Sequence, residues 1–304
     1  MNNLTKYNLT KLAALSGMVF LGTGVAEATT IPATISATLI ISTDSHLTGN
    51  VSCTVTGAPC IQFGAPGIKL NLNGFIITGN GGRNTCATNF VENAIDTNSK
   101  NNVFIQGPGL VRRFNGFGIV VTGNNSSVEG VAITSICAEG IRVFGSYNEV
   151  EGNSLSRVSL DVTIPNHGFT GIFLGAPGGH NRVLNNEVVG AGPYPITSST
   201  LGFGIFVGEP GFPSNNNLIQ GNNASGNPGT GIFISAGSIG NTIRNNQALG
   251  AGVPDHDIFD ANALPANTYD NNLCELSLIG PSPGQDICKL PNIAGHRNGP
   301  VDFY

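Results

Sequence analysis

The chain has 304 residues, a formal net charge of −5, and unusually many glycines and asparagines, 43 and 37 respectively. Charged residues form 10% of it, against roughly 25% in an ordinary soluble domain. The excess of acidic over basic residues argues against a nucleic-acid partner. No apolar run beyond the N-terminal region approaches the roughly 20 residues that cross a bilayer, and a 40% hydrophobic content excludes a disordered chain.

The N-terminus has the pattern of a secretory signal peptide. Lys6 and Lys11 precede an apolar stretch, Leu12 to Val25, and Ala26-Glu27-Ala28 fits the cleavage rule. The apolar stretch is too short to be a membrane anchor. We therefore predict that residues 1–28 are removed and that the mature protein is secreted or periplasmic, without a transmembrane segment.

Six cysteines follow the predicted signal peptide. An even number in an exported chain predicts disulfides, although six cysteines allow 15 connectivities. Metal binding by these thiols is the alternative, which the absence of a CxxC motif and of a nearby histidine cluster disfavours. Two short sequence separations and the pair that they leave over suggest Cys53–Cys60, Cys274–Cys288 and Cys86–Cys137.

Two short patterns repeat along the middle of the chain. The first contains an aliphatic residue, one variable residue, Gly or Asn, and usually a further Asn, and it recurs after 22 to 36 residues. The second lies between its copies and usually begins with Gly-Ile. Copies of the first begin at Val128, Val150, Val183, Ile219, Ile243 and Tyr269. Copies of the second begin at Gly118, Gly140, Gly171, Gly204, Gly231 and Asp257.

These patterns predict a solenoid of short strands. The shortest steps leave no room for a strand–helix–strand unit, and nothing between the copies has helical periodicity. A single repeat cannot bury its own apolar face, so neighbouring repeats must stack. We predict an all-β fold, a single-stranded parallel β-helix that is right-handed, as parallel crossovers are.

The stacking also explains the asparagines. Gly and Asn tolerate the positive φ angles of sharp turns. Stacked coils would place equivalent asparagines about 4.8 Å apart, with their side-chain amides hydrogen-bonded along the axis. Two such ladders are predicted: Asn148, Asn181, Asn217, Asn241 and Asn267, and Asn153, Asn186, Asn222, Asn246 and Asn272.

Residues 67–274 resemble the pectin-lyase-like right-handed β-helix proteins, including the NosD-type group. The stretch Gly67-Ile-Lys-Leu-Asn-Leu-Asn-Gly-Phe-Ile-Ile-Thr-Gly79 resembles the first full coil of such exported proteins, with Asn71 in place of the usual Asp. Asp257-Ile-Phe-Asp260 and the following residues resemble their end motif, with Tyr269 in place of the usual Trp. The resemblance implies the fold and, by the habit of the family, an action on acidic polysaccharide.

The predicted organisation has three parts after the signal peptide. Residues 29–66 are expected to form an N-terminal cap containing a hairpin-like loop closed by a disulfide, residues 67–274 the β-helix, and residues 275–304 a C-terminal cap. A solenoid needs caps because its end coils expose apolar faces and unpaired strand edges. Insertions at 156–170 and 190–203 are expected to project side by side from one edge, where function tends to concentrate.

The second pattern predicts an outward-facing stripe. Because strand residues alternate in direction, Arg142, Phe173, Phe206 and Phe233 should point away from the core. Exposed rings would bind sugar rings or a partner surface. Alternatively, the inserted loops fold back and cover the rings.

Few titratable groups are available beside this stripe for catalysis. A uronan lyase or epimerase needs a positive charge at the substrate carboxylate, a base for the C5 proton and an acid for the leaving oxygen. Arg142, His167 and Tyr194 are the weak candidates for these roles, together with Asp161. Solvated loop residues are the alternative interpretation.

A cluster of acidic residues lies near the end of the repeat. Asp255, Asp257, Asp260 and Asp270 offer the oxygen ligands that Ca²⁺ prefers. Two of them belong to the end motif, where capping of turns is the simpler role. We therefore assign no metal site and keep Ca²⁺ as an alternative.

Two hypotheses for function follow. In the first, the protein binds, and cleaves or epimerises, acidic polysaccharide. In the second, it is a non-catalytic cell-envelope or extracellular protein that uses the solenoid as a rigid contact surface. In both cases we expect a monomer.

Overall fold

The computed structural model describes residues 28–81, 86, 89–161, 169–192, 202–251, 256–275, 277–279 and 287–289. Within these ranges the secondary structure consists of 27 short β-strands joined by turns, without a helix. The predicted signal peptide and two candidate catalytic residues, His167 and Tyr194, lie outside the described residues.

The strands, in chain order, are β1 (Thr29–Ile31), β2 (Thr34–Ile35), β3 (Leu39–Ile41), β4 (Ser45–Leu47), β5 (Val51–Cys53), β6 (Ile61–Phe63), β7 (Lys69–Asn71), β8 (Ile76–Thr78), β9 (Ile95–Asp96), β10 (Phe104–Phe114), β11 (Ile119–Val121), β12 (Ser127–Ile136), β13 (Ile141–Val143), β14 (Glu149–Glu151), β15 (Ser154–Ser156), β16 (Phe169–Leu174), β17 (Arg182–Leu184), β18 (Glu187–Val189), β19 (Gly202–Val207), β20 (Leu218–Gln220), β21 (Ile232–Ile234), β22 (Thr242–Arg244), β23 (Ile258–Asp260), β24 (Thr268–Asp270), β25 (Asn272–Leu273), β26 (Ser277–Ile279) and β27 (Cys288–Lys289).

The strands form a right-handed parallel β-helix, which confirms the predicted fold. A 15-stranded sheet, sheet A, includes β1, β4, β7, β10, β12, β14, β17, β20, β22 and β24 in that order. A 10-stranded sheet, sheet B, runs from β3 through β6, β9, β11, β13, β16, β19, β21 and β23 to β26. All pairings between these strands are parallel. A typical coil crosses sheet B once, as β13, and then sheet A in two segments, β14 and β15.

Stacked aliphatic side chains fill the space between the sheets. Along sheet B, the isoleucine of each second-pattern copy lies directly above its counterpart, and all are fully buried. Alternation along each three-residue strand turns the first and third side chains inward and the middle one outward. One continuous core results. The isoleucines of this row are Ile119, Ile141, Ile172, Ile205, Ile232 and Ile258.

Close contacts between the backbones of neighbouring coils explain the glycine that opens most copies of the second pattern. A Cβ at Gly140 would lie 2.9 Å from the carbonyl oxygen of Gly171 in the next coil, which is too close. Gly140 is absent from the glycines with positive φ. Glycine is therefore required here by the approach of neighbouring backbones, not by the turn conformation that the sequence suggested.

The first coils lie in the segment expected to form the N-terminal cap. β1 pairs with β4, β2 with β5 and β3 with β6, all in parallel. Their inward side chains, Ile31, Ile35 and Ile41, join the common core. The loop between Cys53 and Cys60 is not hairpin-like, contrary to the prediction from the sequence. Cys53 ends a strand of sheet A and Cys60 precedes a strand of sheet B, so the loop connects the two sheets.

The three predicted disulfides are confirmed. Cys53–Cys60 ties β5 to the start of β6, and Cys274–Cys288 joins the last described coil to β27. Cys86–Cys137 links the insertion after β8 to the end of β12. Disulfides of this number are typical of proteins that fold outside the cytoplasm.

The predicted asparagine ladders are also confirmed. In the second ladder, the Asn153 amide nitrogen donates to Asn186 Oδ1, and the same 3.0 Å bond continues through Asn222, Asn246 and Asn272. Each Oδ1 also accepts a backbone N–H from the preceding coil. The residue before each asparagine of the second ladder has a positive φ, namely Gly152, Asn185, Gly221, Asn245 and Asn271. These turns are why Gly or Asn occupies that position.

The first ladder ends on a buried carboxylate. Asn267 Nδ2 donates to Asp260 Oδ2 at 2.9 Å, and the Tyr269 hydroxyl donates to the same oxygen at 2.6 Å. Burial, together with the neighbouring Asp260 carboxylate, raises the pKa of Tyr269. Asp257 accepts two backbone N–H bonds, from Ala251 and Glu275. These contacts are the turn-capping role expected for the two aspartates.

The ladders make a testable contribution to stability. Replacing Asn246 with Ala removes the acceptor of the Asn222 N–H and one donor each to the Ile219 carbonyl and Asn272 Oδ1. Because a buried group left unsatisfied costs about 1–3 kcal/mol, we expect the free energy of unfolding to fall by about this amount in urea denaturation. The exposed neighbour Gln247, replaced with Ala, is the control and should change it by under about 0.5 kcal/mol. Equal midpoints for the two variants would contradict a stabilising ladder.

Candidate functional site

The outward face of sheet B has a single row of side chains along the solenoid axis. The strand registers align the middle residue of every three-residue strand with its counterparts above and below. This confirms the outward phase predicted for Arg142 and the phenylalanines. From the N-terminal end, the row contains Ile40, Gln62, Asp96, Val120, Arg142, Phe173, Phe206, Phe233 and Phe259.

Packing between rings covers the middle of this row. Phe173 is 1% exposed and Phe206 8%, and together with Phe203 they form a hydrophobic cluster separate from the main core. Phe144 and Phe233 pack against this cluster. The exposed platform considered for Phe173 and Phe206 is therefore corrected: their rings contact one another, 5.6 Å apart between centroids, and not solvent. Phe233 is half-buried, and a role in substrate binding stays a prediction for it.

Arg142 lies where the aromatic cluster gives way to an open groove. Its guanidinium carbon is 4.5 Å from the ring centroid of Phe144, 4.8 Å from that of Phe117 and 5.1 Å from that of Phe173. Cations are attracted to ring faces at such distances, most strongly where water is excluded. Its Nε atom is buried and has no hydrogen-bond partner among the described residues. Three rings and the short strand β13 thus fix the position of this cation.

Two carboxylates approach the same guanidinium. Glu139 lies three residues before Arg142, and its Oε1 is 3.3 Å from Nη1 of Arg142. Glu209 comes from the insertion after β19, and its Oε1 is 4.0 Å from Nη2. A short antiparallel bridge between Glu209 and Phe212 shapes that insertion. Both partners of Arg142 therefore come from this chain.

Glu139 has an unusual ionisation. Burial raises its pKa from 4.5 to about 7, against the opposing effect of the nearby Arg142 charge. A carboxyl group taken out of water favours its neutral form, and one cation at 3.3 Å compensates only partly. Glu139 therefore exchanges its proton near neutral pH.

An open groove of about 460 Å³ lies beside Arg142 on sheet B. Its lining is mostly apolar, and Phe90 and Phe117 stack there with their centroids 5.7 Å apart. The polar lining residues are Arg142, Asn93 and Asp96. The carboxylate of Asp96 accepts hydrogen bonds from the Asn93 amide and the Asn98 backbone N–H. The remaining lining residues are Pro59, Val91, Val120 and Phe144.

The structure brings together only part of the predicted catalytic group. Arg142 borders the groove. Asp161 is buried and is not among the described residues that line the groove. Its backbone N–H donates to the Cys137 carbonyl. His167 and Tyr194 lie outside the described residues. The convergence of the four groups therefore stays a prediction.

Sequence reasoning missed the groups that define the site. Glu139 and Phe117 each directly precede the glycine of a second-pattern copy, a position that belongs to neither repeat pattern. An acidic residue three positions before an outward arginine was a usable signal for the Glu139 contact. Nothing local pointed to Glu209, which lies 67 residues after Arg142 in the chain.

No helix among the described residues is long and apolar enough to cross a membrane. No group of three or more His, Cys, Asp or Glu side chains in that part of the chain is placed to hold a metal ion.

The sequence matches no protein-family model, and it matches no curated protein. Solved structures share its fold at low identity. The A-module of the mannuronan C-5 epimerase AlgE6 from Azotobacter vinelandii is 13% identical, with a TM-score of 0.53 over 83% of this chain and 80% of that module. A tailspike protein of the E. coli bacteriophage HK620, solved with a hexasaccharide, is 12% identical, with a TM-score of 0.53 over 87% of this chain and 57% of the tailspike.

The enzymatically active domain of tailspike protein 2 from bacteriophage CBA120 is 11% identical, with a TM-score of 0.52 over 83% of this chain and 39% of that chain. This protein thus spans about two fifths to three fifths of the tailspike chains. At such identities the likeness establishes the fold alone. The narrower resemblance to pectin-lyase-like and NosD-type proteins stays a prediction.

Proposed function

We propose that the protein binds polysaccharide in the groove of sheet B. The observation that supports this most is the groove itself, about 460 Å³ in volume, open, and lined by Phe90, Phe117 and Phe144 beside a fixed arginine. Sugar rings have apolar faces that pack on aromatic side chains and hydroxyl edges that hydrogen-bond to polar ones. The groove offers both kinds of contact at once.

The fold gives the proposal further support. The similar solved structures are an epimerase of mannuronan and tailspikes, one of them solved with a hexasaccharide. A solenoid suits a linear ligand because its outward row repeats about every 4.8 Å along the axis. From Asp96 to Arg142 the row covers two such steps, with Val120 between them. A polymer lying along the axis would contact several coils together.

Cleavage or epimerisation of an acidic polysaccharide stays a prediction. That chemistry needs a cation free to neutralise the substrate carboxylate. Arg142 already faces Glu139 and Glu209, and two of the other candidates lie outside the described residues. The described groups support binding better than catalysis.

Binding is proposed to take place outside the cytoplasm, either in the periplasm or after secretion. Three disulfides close loops near both ends and in the middle of the described chain. Such bonds persist in oxidising compartments. A non-catalytic role in the cell envelope, with the solenoid as a rigid surface, is compatible with this location.

The groove can be tested with one pair of phenylalanine variants. Phe90 is 37% exposed at the groove, and Phe104 is 41% exposed on sheet A. Because covering the apolar face of this ring removes Phe surface from water, a contribution of about 1.5 kcal/mol, Phe90→Ala should weaken polysaccharide binding about tenfold in calorimetric titrations. Phe104→Ala, the matched control, should bind like the wild type. Equal losses in both variants would exclude this groove as the binding site.

The raised pKa of Glu139 predicts how stability depends on pH. The folded protein holds this proton up to about pH 7, whereas the unfolded chain releases it near 4.5. Between these values the folded state binds more protons, so the free energy of unfolding falls as pH rises, by about 3 kcal/mol over this range.

Urea unfolding at about pH 5 and about pH 8 tests this. Glu139→Gln keeps the shape without the charge and should flatten the pH dependence relative to wild type. Glu129→Gln, on the outward face of β12, is the control and should leave the slope unchanged. A wild type and a Glu139→Gln variant with parallel pH profiles would contradict the raised pKa.

A further inference from the structure

The charges around the groove are predominantly negative. Arg142 is the only Lys or Arg among its described lining residues, and Asp96 is the acidic one. Glu139 and Glu209 approach Arg142 from beside the groove, at 3.3 and 4.0 Å. Among the described residues, one cation therefore faces three carboxylates above about pH 7, where Glu139 has lost its proton, and two below it.

The charge of Arg142 is also already compensated. Its guanidinium contacts three rings as well as the two carboxylates. An incoming sugar carboxylate would have to displace Glu209 or share the cation with it. The buried Nε does not help, because it is shielded from solvent. Exchanging one carboxylate for another at this cation brings little net gain.

Asp96 adds a specific preference at the other end of the groove. Its carboxylate is held by Asn93 and by the backbone N–H of Asn98 and still has acceptor sites available. A sugar hydroxyl can donate to such a carboxylate. The carboxylate group of a uronate, or a sulfate group, cannot donate, and its negative charge would be repelled.

We infer that the groove selects polysaccharides whose sugar units are uncharged, because Arg142 is already paired with Glu139 and Glu209 while Asp96 lines the opposite end. The inference rests on the proposed function and names its substrate class. It replaces the acidic polysaccharide expected from the sequence, since that expectation required an arginine without internal partners. Hydroxyl groups donate to Asp96, and the apolar sugar faces pack on Phe90, which stacks on the buried Phe117.

The test uses oligosaccharides of equal length and linkage in matched pairs: glucan with glucuronan, mannan with mannuronan, and galactan with galacturonan. Calorimetric titration of the full chain measures each affinity. For any pair that binds, the neutral member should bind about tenfold tighter, and the difference should shrink at high salt, which screens the repulsion. Tighter binding of the uronate would overturn the selectivity and leave polysaccharide binding intact. No binding by any member would overturn the proposed function and this inference with it.

A charge variant identifies the residue responsible. Asp96→Asn removes the charge with little change of shape, and it should raise the affinity for the uronate about threefold while changing that for the neutral member less. Glu129→Gln makes the same change in net charge on sheet A and should leave the ratio unchanged. A ratio that stays the same in Asp96→Asn would overturn the role of Asp96. Circular dichroism of each variant shows that it is folded.

Discussion

The structure depends on the hydrogen bonding of asparagine side chains between stacked coils. Each ladder amide is buried, each Oδ1 accepts a backbone N–H, and most of the amide nitrogens donate to a backbone carbonyl, as Asn186 does to Val150 at the corner of a coil. Buried polar groups are tolerated only when they are bonded. The corner must therefore recur at the same place in every coil, whatever the length of the loops between. Ladder positions in consecutive coils are 22 to 36 residues apart. Insertions between the corners account for these differences in length, and the corners remain in register.

The same register creates the outward row of sheet B. Since coils repeat about every 4.8 Å, the side chains that follow one another in this row are in direct contact. Where the row is aromatic, the rings cover each other and form a second cluster. Where it changes to Arg142, Val120 and Asp96, the cover ends and the groove begins. The position of the groove thus follows from the order of residues in a row that the ladders keep aligned.

Arg142 and Glu139 illustrate how burial controls charge at this boundary. The carboxyl group loses its hydration and is compensated by a single cation, so its pKa rises to about 7. The guanidinium is stabilised by rings on several sides as well as by carboxylates. A charged pair enclosed in this way orders the wall of the groove, but it leaves little positive charge for a ligand. The described residues therefore support sugar binding better than cleavage or epimerisation of a uronan, which requires a positive charge at the substrate carboxylate.

The sequence by itself determined the architecture. Repeats of Gly and Asn indicated the coils, alternation within three-residue strands indicated which side chains face outward, and short separations indicated the disulfides. These features are local or periodic, so each copy reports on the others. Only the tertiary structure decided which outward rings are exposed, that Glu139 and Glu209 bind Arg142, and that Phe90 and Phe117 line a groove. Those contacts join insertions and turns of different length, and no periodic pattern constrains where such a loop places its side chains.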